Sequence, residues 1–210
     1  MTRSGGASPV WIVAGLGNPG RRYARTRHNV GFRVVDRLAE RLGVSLSQRR
    51  FEAVYGDCRF RDGRLLLLEP QTYMNESGRA VAHFVRYFRT DPSRLLVVCD
   101  DIALPFGRLR IRARGSSGGQ KGLASVLREL GTQEVARLRV GVGAPPPEID
   151  AADWVLSRFP DEQERALGEV IERAADCAEL WAHEGVEAAS RRYNAAPPAA
   201  EPGARARATE

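Results

Sequence analysis

The 210-residue sequence lacks the features that mark secreted, membrane-spanning and zinc-binding proteins. No apolar run approaches the roughly 20 residues that a helix needs to cross a bilayer. Residues 1–9 contain no apolar signal segment, so we expect a cytoplasmic protein without membrane contact. Cys58, Cys99 and Cys177 are odd in number and lie far apart, which argues against a disulfide framework and a zinc site. We therefore predict buried, reduced thiols and no bound metal.

Composition and charge indicate a folded protein with a polyanionic partner. Apolar residues make up 43% and charged residues 28% of the chain, as in soluble globular proteins. Lys and Arg number 32 against 26 Asp and Glu, and the resulting charge of +6 favours a partner such as nucleic acid. Residues 194–210 are rich in Ala and Pro and carry no net charge. We predict a flexible N-terminus (1–9), a folded domain (10–193) that carries the excess charge, and a disordered tail (194–210).

The order of apolar patterns predicts one α/β domain. Strands are predicted at Val10–Ala14, Phe51–Phe60, Leu65–Leu68, Leu95–Val98, Arg108–Arg114, Arg137–Val142 and, as a short last strand, Trp154–Leu156. Helices are predicted at Asn29–Leu42, after Asn75, at Leu123–Leu130 and after Pro160. A hairpin is predicted at Asp62-Gly63. Because strands and helices alternate apart from this hairpin, we expect a mixed, mostly parallel β-sheet with helices on both faces.

A glycine-rich turn, Gly15-Leu16-Gly17-Asn18-Pro19-Gly20, follows the first predicted strand. Its spacing matches a dinucleotide-binding fingerprint, which would indicate a nucleotide-dependent oxidoreductase. Pro19 removes an N–H donor that a pyrophosphate would need. Glu40, the acid about 20 residues further on, lies on a predicted helix rather than at the end of a second strand. We therefore expect no cofactor. The alternative to a dinucleotide-binding site is that these glycines simply form a tight turn.

Three histidines are the candidates for a base that works near neutral pH. His83 lies within a predicted helix and His183 in the last turn of another, so both have structural interpretations. His28 lies in a polar loop between a strand and a helix, where catalytic residues are common. Asp100 and Asp101 end the central predicted strand, and one of them could orient the His28 ring. The alternative is that these acids simply end a strand.

Arginines form two groups that could bind phosphates. One group alternates along a predicted strand, so its side chains share one face at intervals of about 6.6 Å. No acid lies between them, and they would repel one another unless an anion bound; a solvated edge strand is the alternative. This group contains Arg108, Arg110, Arg112 and Arg114. The group next to His28 contains Arg21, Arg22, Arg25 and Arg27.

Taken together, these segments resemble bacterial peptidyl-tRNA hydrolase over about residues 10–190. The shared motifs are Gly15–Gly20 with Tyr23, Thr26–Asn29, Gly31-Phe32, Thr72–Asn75 with Ser77-Gly78, Asp100-Asp101 with Leu104-Pro105 and Gly107, Gly118-Gly119 with Gly122-Leu123, and Arg137–Gly143. The resemblance implies a mixed sheet between helices and a monomer without a cofactor. It also implies hydrolysis of the ester that joins a peptide to the 3′ ribose of tRNA.

The resemblance also implies roles for residues at matching positions. His28 would activate water, with Asp100 as its partner. The substrate-binding residues would be Asn18, Tyr23, Tyr73, Asn75 and Lys121. The residues in contact with tRNA phosphates would be Arg110, Arg112 and Arg139. N-capping of the following helix is the alternative for Asn75.

One motif departs from the family pattern. Family members commonly read Gly-Gly-His-Asn-Gly-Leu where this chain has Gly118-Gly119-Gln120-Lys121-Gly122-Leu123. Lys121 replaces an asparagine that positions water or substrate, and a charged lysine cannot accept a hydrogen bond. We expect Lys121 to contact the oxyanion or the tRNA 5′ phosphate and to alter the pH profile. A catalytically silent RNA-binding protein of the same fold is the alternative function.

Overall fold

The computed structural model describes residues 8–195, which form seven β-strands and five α-helices. The strands are β1 (Val10–Gly15), β2 (Gln48–Arg50), β3 (Ala53–Phe60), β4 (Gly63–Pro70), β5 (Leu95–Asp101), β6 (Leu109–Arg112) and β7 (Ala136–Gly141). The helices are α1 (Val30–Leu42), α2 (Ser77–Tyr87), α3 (Lys121–Leu130), α4 (Ala151–Leu156) and α5 (Asp161–Tyr193). Residues 1–7 and 196–210, with most of the predicted flexible N-terminus (1–9) and tail (194–210), lie outside the described residues.

The strands form one sheet in the order β2-β3-β4-β1-β5-β7-β6. Strands β4, β1, β5 and β7 run parallel in its centre, whereas β3 is antiparallel to β2 and β4, and β6 is antiparallel to β7. The predicted hairpin joins β3 to β4, with Phe60 opposite Gly63. The predicted α/β fold with a mixed sheet is therefore confirmed, with three parallel pairings in the centre and three antiparallel pairings toward the two edges.

Two apolar cores cover the two faces of the sheet, as predicted. In β4, Leu65 and Leu67 belong to the core beneath α1 and α5, while Leu66 and Leu68 belong to the core beneath α2 and α3. Because successive side chains of a strand point to opposite faces, a strand buried on both sides reads as a continuous apolar run. The same reasoning explains β5, in which every residue is buried.

The glycine-rich turn after β1 allows α1 to pack closely against the sheet. A Cβ atom on Gly15 would lie 2.3 Å from the carbonyl oxygen of Gly31, and one on Gly31 would lie 2.5 Å from the backbone of Leu16. Only glycine leaves room for this approach. The turn also does not lead straight into a helix, since α1 begins at Val30 after a 3₁₀ turn at Arg27–Asn29. The close packing accounts for Gly15 and Gly31 without a dinucleotide.

Two of the predicted strands include residues that form a helix end or a turn. Trp154–Leu156 was expected to be a strand, but it is the end of helix α4, because the Asp150 side chain accepts a hydrogen bond from the Ala152 N–H (2.7 Å) and caps that helix. The predicted strand Phe51–Phe60 begins only at Ala53, since the chain turns at Phe51 and Glu52, which have φ of 47° and 56°. Strand β2, whose residues are all exposed and polar, was not predicted.

The sheet ends at β6, which is shorter than the predicted strand Arg108–Arg114. Its outer edge is covered at one point by Asn194, whose side-chain oxygen accepts from the Ile111 N–H (2.7 Å) and whose amide donates to the Ile111 carbonyl (3.0 Å). Pairing an exposed edge strand in this way satisfies backbone groups that would otherwise be free. Asn194 was predicted to begin the tail, but these contacts make it part of the folded domain.

Candidate active site

A cleft of about 600 Å³ opens where the parallel strands β1, β4 and β5 end. Carboxyl ends of parallel strands meet at one edge of a sheet, and open α/β proteins bind ligands there. Every residue that we predicted to be catalytic or substrate-binding lines this cleft: His28, Asp100, Asn18, Tyr23, Tyr73, Asn75 and Lys121. Of the predicted phosphate-binding arginines, Arg139 lines it and Arg110 and Arg112 do not.

A histidine and an aspartate meet at the base of the cleft. His28 lies in the 3₁₀ turn before α1, and Asp100 lies near the end of β5. The Nδ1 atom of His28 is 2.9 Å from both carboxylate oxygens of Asp100. Both residues are buried, with 9% and 2% of their surfaces exposed. Since a carboxylate only accepts hydrogen bonds, we assign the proton to Nδ1, which leaves Nε2 of His28 able to accept a proton.

Gln120, which sequence reasoning did not single out, makes a second contact with Asp100. Its Nε2 atom donates to Oδ1 of Asp100 (2.9 Å), and its Oε1 atom accepts from the Leu123 N–H (2.6 Å). The second bond caps helix α3. No local pattern indicated this pairing, because it depends on the loop before α3 reaching the end of β5.

Asn18 is held by two neighbouring segments. Its backbone N–H donates to the Asn29 side-chain oxygen and its carbonyl accepts from the Asn29 amide, both at 2.9 Å. Its own Oδ1 accepts from the Met74 N–H (2.8 Å). The Asn18 Nδ2 group makes no hydrogen bond within the described part of the chain, so it is the part of this side chain that remains free to donate in the cleft. Asn29 is a supporting residue that the sequence analysis missed.

Tyr73 and Asn75 form an exposed wall of the cleft. Tyr73 is 55% exposed, and Asn75 is also exposed. The predicted capping alternative for Asn75 is wrong, because the residues that precede the 3₁₀ turn Met74–Glu76 and helix α2 are Tyr73 and Glu76, and neither cap uses a side-chain hydrogen bond. The amide of Asn75 is therefore not occupied by helix capping.

The opposite wall is helix α4, which is attached to the body through Arg27. This arginine is 1% exposed, and its guanidinium carbon lies 3.5 Å from the centre of the Trp154 ring. It donates to the Ser157 hydroxyl and to the Arg158 carbonyl. Burial lowers the pKa of Arg27 from its ordinary value. We expected Arg27 to belong to the solvent-facing basic group beside His28; instead it links the segment that carries His28 to the wall of the cleft.

Some of the arginines near β6 pair with acids of the protein. Asp101 pairs with Arg110 (3.2 Å) and with Arg139 (3.0 Å), and Glu134 pairs with Arg114 (3.4 Å). The expectation that these arginines repel one another unless an anion binds is therefore wrong for Arg110 and Arg114, whose partners are protein carboxylates. Arg108 donates to the Asn194 carbonyl and has no ion pair in the described part of the chain. Arg112 is exposed and has no ion pair within the described residues.

Arg139 also organises the loop before α3. Its guanidinium donates to the Ser116 and Ser117 carbonyls at 3.2 and 2.8 Å. A Cβ atom on Gly118 would lie 2.8 Å from this guanidinium, so glycine allows the loop to pass over it. The side chain of Arg139 is only 9% exposed. Its contact with a phosphate stays a prediction, whereas its contact with the loop is observed.

Lys121 is the first residue of helix α3 and lines the cleft as an exposed side chain. It forms no ion pair with any residue in the described range 8–195. A cation at a helix N-terminus faces the positive end of the helix dipole, so its charge gains little from its own helix. The ammonium group of Lys121 is consequently available to an anion in the cleft.

Within the described residues, no group of three or more His, Cys, Asp or Glu side chains is placed to hold a metal ion, and no helix is long and apolar enough to span a membrane. The cysteines Cys58, Cys99 and Cys177 are free thiols; Cys99 and Cys177 are buried, as predicted, whereas Cys58 is only partly buried. Burial raises the pKa of Cys177 to about 12, so this thiol stays protonated at neutral pH.

Comparison with known proteins identifies the family. A family model described as "Peptidyl-tRNA hydrolase" matches residues 12–201. The peptidyl-tRNA hydrolase of Chloroflexus aggregans is 51% identical over 186 residues, which are 88% of this chain and 99% of that protein. This chain belongs to the peptidyl-tRNA hydrolase family. The resemblance inferred from the motifs is thereby confirmed.

Further peptidyl-tRNA hydrolases agree with this assignment. The protein of Symbiobacterium thermophilum is 46% identical and covers 87% of this chain and 98% of its own length. The crystal structure of the peptidyl-tRNA hydrolase from Acinetobacter baumannii superposes with a TM-score of 0.84 at 31% identity, covering 93% of this chain and 100% of that one. These relatives carry the name of an enzyme and give no support to a catalytically silent RNA-binding protein.

Proposed function

We propose that His28 and Asp100 perform the reaction of this family, the hydrolysis of the ester that joins a peptide to the 3′ ribose of tRNA. Family membership makes the protein a peptidyl-tRNA hydrolase, an enzyme of the carboxylic ester hydrolase type. The observation that carries the residue assignment is the buried contact of His28 Nδ1 with both Asp100 oxygens at the base of the cleft.

In the proposed reaction, Nε2 of His28 takes a proton from a water molecule as the water oxygen attacks the ester carbonyl carbon. Asp100 keeps the Nδ1 proton in place and stabilises the imidazolium that forms. When the tetrahedral intermediate collapses, the bond between the carbonyl carbon and the ribose oxygen breaks. The ribose oxygen takes the proton from His28, which restores the neutral base and releases the free peptide and tRNA.

The Asn18 and Asn75 amides are the proposed donors to the substrate. Both line the cleft, and neither Nδ2 group is used within the described part of the protein. Since the position of Asn18 is fixed by Asn29 and Met74, its amide needs no reorganisation to donate to a developing negative charge or to a peptide carbonyl. Tyr23 and Tyr73 would flank the bound substrate.

On the tRNA side, we propose that Arg112 and Lys121 contact phosphates. Arg110, whose side chain is partly exposed, would add a contact, and Arg139, which lines the cleft, would contribute mainly through its charge. The support is the charge of Arg112 and Lys121, which no acid in the described residues neutralises. Arg112→Ala should weaken tRNA binding several-fold. It should also reduce the slope of log affinity against log salt concentration by about the amount that one phosphate contact contributes. We also propose that the enzyme acts as a monomer in the cytoplasm. The support for a monomer is that the residues lining the cleft come from one chain, and the support for the cytoplasm is the similarity to bacterial peptidyl-tRNA hydrolases.

The assignment of the base is tested with peptidyl-tRNA and, in parallel, the same tRNA carrying a free amino acid. The parent protein should release peptide selectively. A His28→Ala variant should lose on the order of 10² to 10⁴ in rate. His83→Ala is the matched control, because His83 is exposed on α2 and lies outside the cleft. Turnover by His28→Ala within a few-fold of the parent would contradict the role of His28. Binding by the parent without release would contradict the function itself.

A further inference from the structure

Gln120 occupies a position from which it can control the orientation of the Asp100 carboxylate. The residue is 9% exposed and ends the loop Gly115–Gln120. Its amide bridges two elements that are not neighbours in sequence, the end of β5 and the start of α3. The assignment of a role to this side chain rests on the function proposed above for the His28 and Asp100 pair.

The orientation of the Gln120 amide is fixed by its neighbours. The Leu123 N–H can only donate a hydrogen bond and the Asp100 carboxylate can only accept one, so Oε1 must face Leu123 and Nε2 must face Asp100. The second Nε2 hydrogen lies toward the Met74 sulfur, at 3.2 Å from Nε2. Rotating the amide by 180° would break both strong bonds, so Gln120 presents a permanent donor to Asp100.

The Asp100 oxygen Oδ1 is shared between this donor and the His28 ring. Oδ1 accepts from Gln120 at 2.9 Å and lies 2.9 Å from Nδ1 of His28, while Oδ2 has only the His28 contact among the described residues. A carboxylate held on one side by an imidazole alone could rotate about its Cβ–Cγ bond. The Gln120 bond removes this freedom and fixes the carboxylate plane against the imidazole.

The loop that carries Gln120 is anchored independently of the catalytic pair. Arg139 and Arg137 donate to loop carbonyls, with Arg137 bonded to Ser116 at 2.9 Å and Arg139 to Ser117 at 2.8 Å. Arg139 is held in turn by Asp101, the residue next to Asp100. Both ends of the bridge are therefore rigid, which is required of a group that positions another.

We infer that Gln120 is a positioning residue for catalysis: it locks the Asp100 carboxylate against His28 while it caps helix α3. An amide does not ionise, so the contact is the same at every pH at which the enzyme works. At this place family members commonly have a histidine, which can take up a proton. In this chain the supporting contact adds no ionisation of its own to the pH dependence of the reaction.

The two roles of Gln120 are separated by the variant Gln120→Glu. A carboxylate oxygen still accepts from the Leu123 N–H, so the helix cap is kept. The second oxygen of the introduced carboxylate faces Asp100 as an acceptor instead of a donor, and the two carboxylates then repel each other. Loss of one hydrogen bond to a charged group should lower kcat on the order of 10- to 100-fold at neutral pH, with KM little changed.

The pH dependence provides a readout that a purely structural role would not move. In acid the carboxyl group that Gln120→Glu introduces takes up a proton and can again donate to Asp100. The ratio of the kcat of Gln120→Glu to that of the parent should therefore rise as the pH is lowered from slightly alkaline to mildly acidic. Gln133→Glu is the matched control, because it adds the same charge at an exposed residue outside the cleft. The ratio of its kcat to that of the parent should stay near one at every pH.

The experiment measures kcat and KM with peptidyl-tRNA at each pH for the parent, Gln120→Glu, Gln120→Met and Gln133→Glu, with thermal unfolding recorded for each. Gln120→Met should lose both activity and stability, since it removes the donor and the cap. If Gln120→Glu is folded and has the parent's kcat at every pH, the inference is wrong. If the parent itself releases no peptide, the proposed function is wrong, so the two failures are distinguishable.

Discussion

Two buried carboxyl groups at the same edge of the sheet are held in opposite ways. Asp100 near the end of β5 is 2% exposed and accepts hydrogen bonds from His28 and Gln120. Glu69 near the end of β4 is 8% exposed, its Oε1 atom has no partner within the described residues, and its neighbour is another carboxyl, Asp36 on α1. Burial, and next the Asp36 charge, raises the pKa of Glu69 to about 8. A buried carboxyl group without hydrogen-bond donors therefore favours its neutral form, whereas a buried carboxylate such as Asp100 needs donors.

The largest effect should come from replacing one of the two carboxyl groups, that of Asp100, by an amide. Asp100→Asn and Glu69→Gln are both close in shape to the parent residues. Asp100→Asn should lower kcat on the order of 10² to 10⁴, because a neutral amide cannot stabilise the imidazolium that forms, and the NH2 group that replaces one carboxylate oxygen faces the Nδ1–H donor of His28. Glu69→Gln should stay within about two-fold, since Glu69 does not line the cleft. Peptide release assays would contradict the comparison if the two variants lost similar activity.

Arg27 is a buried cation to which the same comparison applies, because it has no carboxylate partner in the described residues. Its guanidinium instead stacks on Trp154 and donates to the Ser157 hydroxyl and the Arg158 carbonyl. Arg27→Met should lower the free energy of unfolding by about 2 kcal/mol, through loss of the hydrogen bonds and the stacking. KM should rise because α4 loses its anchor. Urea unfolding and steady-state kinetics measure both, with the exposed Arg25→Met as control. Equal stability of the two variants would show that the buried contacts contribute nothing.

The raised pKa of Glu69 should make the free energy of unfolding depend on pH. Below its unfolded pKa near 4.5, both states hold the proton and the folded state suffers no penalty. As the pH rises toward about 8, the unfolded chain releases a proton that the folded protein retains, so stability falls by at most about 1.4 kcal/mol per pH unit. The charged groups that face Glu69 are Asp36 and, through it, Arg33.

Glu69→Gln removes this ionisation and should be more stable than the parent at a pH of about 8, with a flatter dependence on pH between the unfolded and folded pKa values of Glu69. Urea unfolding of both proteins at several pH values measures the difference. Parallel curves for the two proteins would mean that Glu69 is not the group responsible.

The smallest effect is expected at Lys121, whose ammonium lines the cleft without an ion pair within residues 8–195. Lys121→Asn should change kcat by only a few-fold and shift the acidic limb of the pH profile, because the cation disfavours a second positive charge on His28 if it is close. Arg128→Asn, on the outer part of the same helix, is the control. An unchanged profile would place Lys121 too far from the base to influence it.

Much of the fold and half of the site could be predicted from local patterns. The apolar runs of β1 and β5 and the helical periodicity of α1 are visible in the sequence, because short-range geometry sets them. His28 stood out because the chain has only three histidines. Gln120 and Asn29 gave no local signal, since their roles consist of side-chain hydrogen bonds to distant segments. Trp154–Leu156 was mistaken for a strand because a three-residue apolar run has no distinctive period.

The sequence by itself determined the alternation of strands and helices, the glycines that let α1 approach β1, and the supply of a candidate base, acid and amides. Only the tertiary structure decided which of these meet. It joined His28 to Asp100 across 72 positions of the chain, turned Arg27 inward, and paired Arg110 and Arg139 with Asp101. The reason is physical: periodicity depends on neighbours a few residues apart, whereas the partner of a buried polar group depends on which strand ends lie side by side.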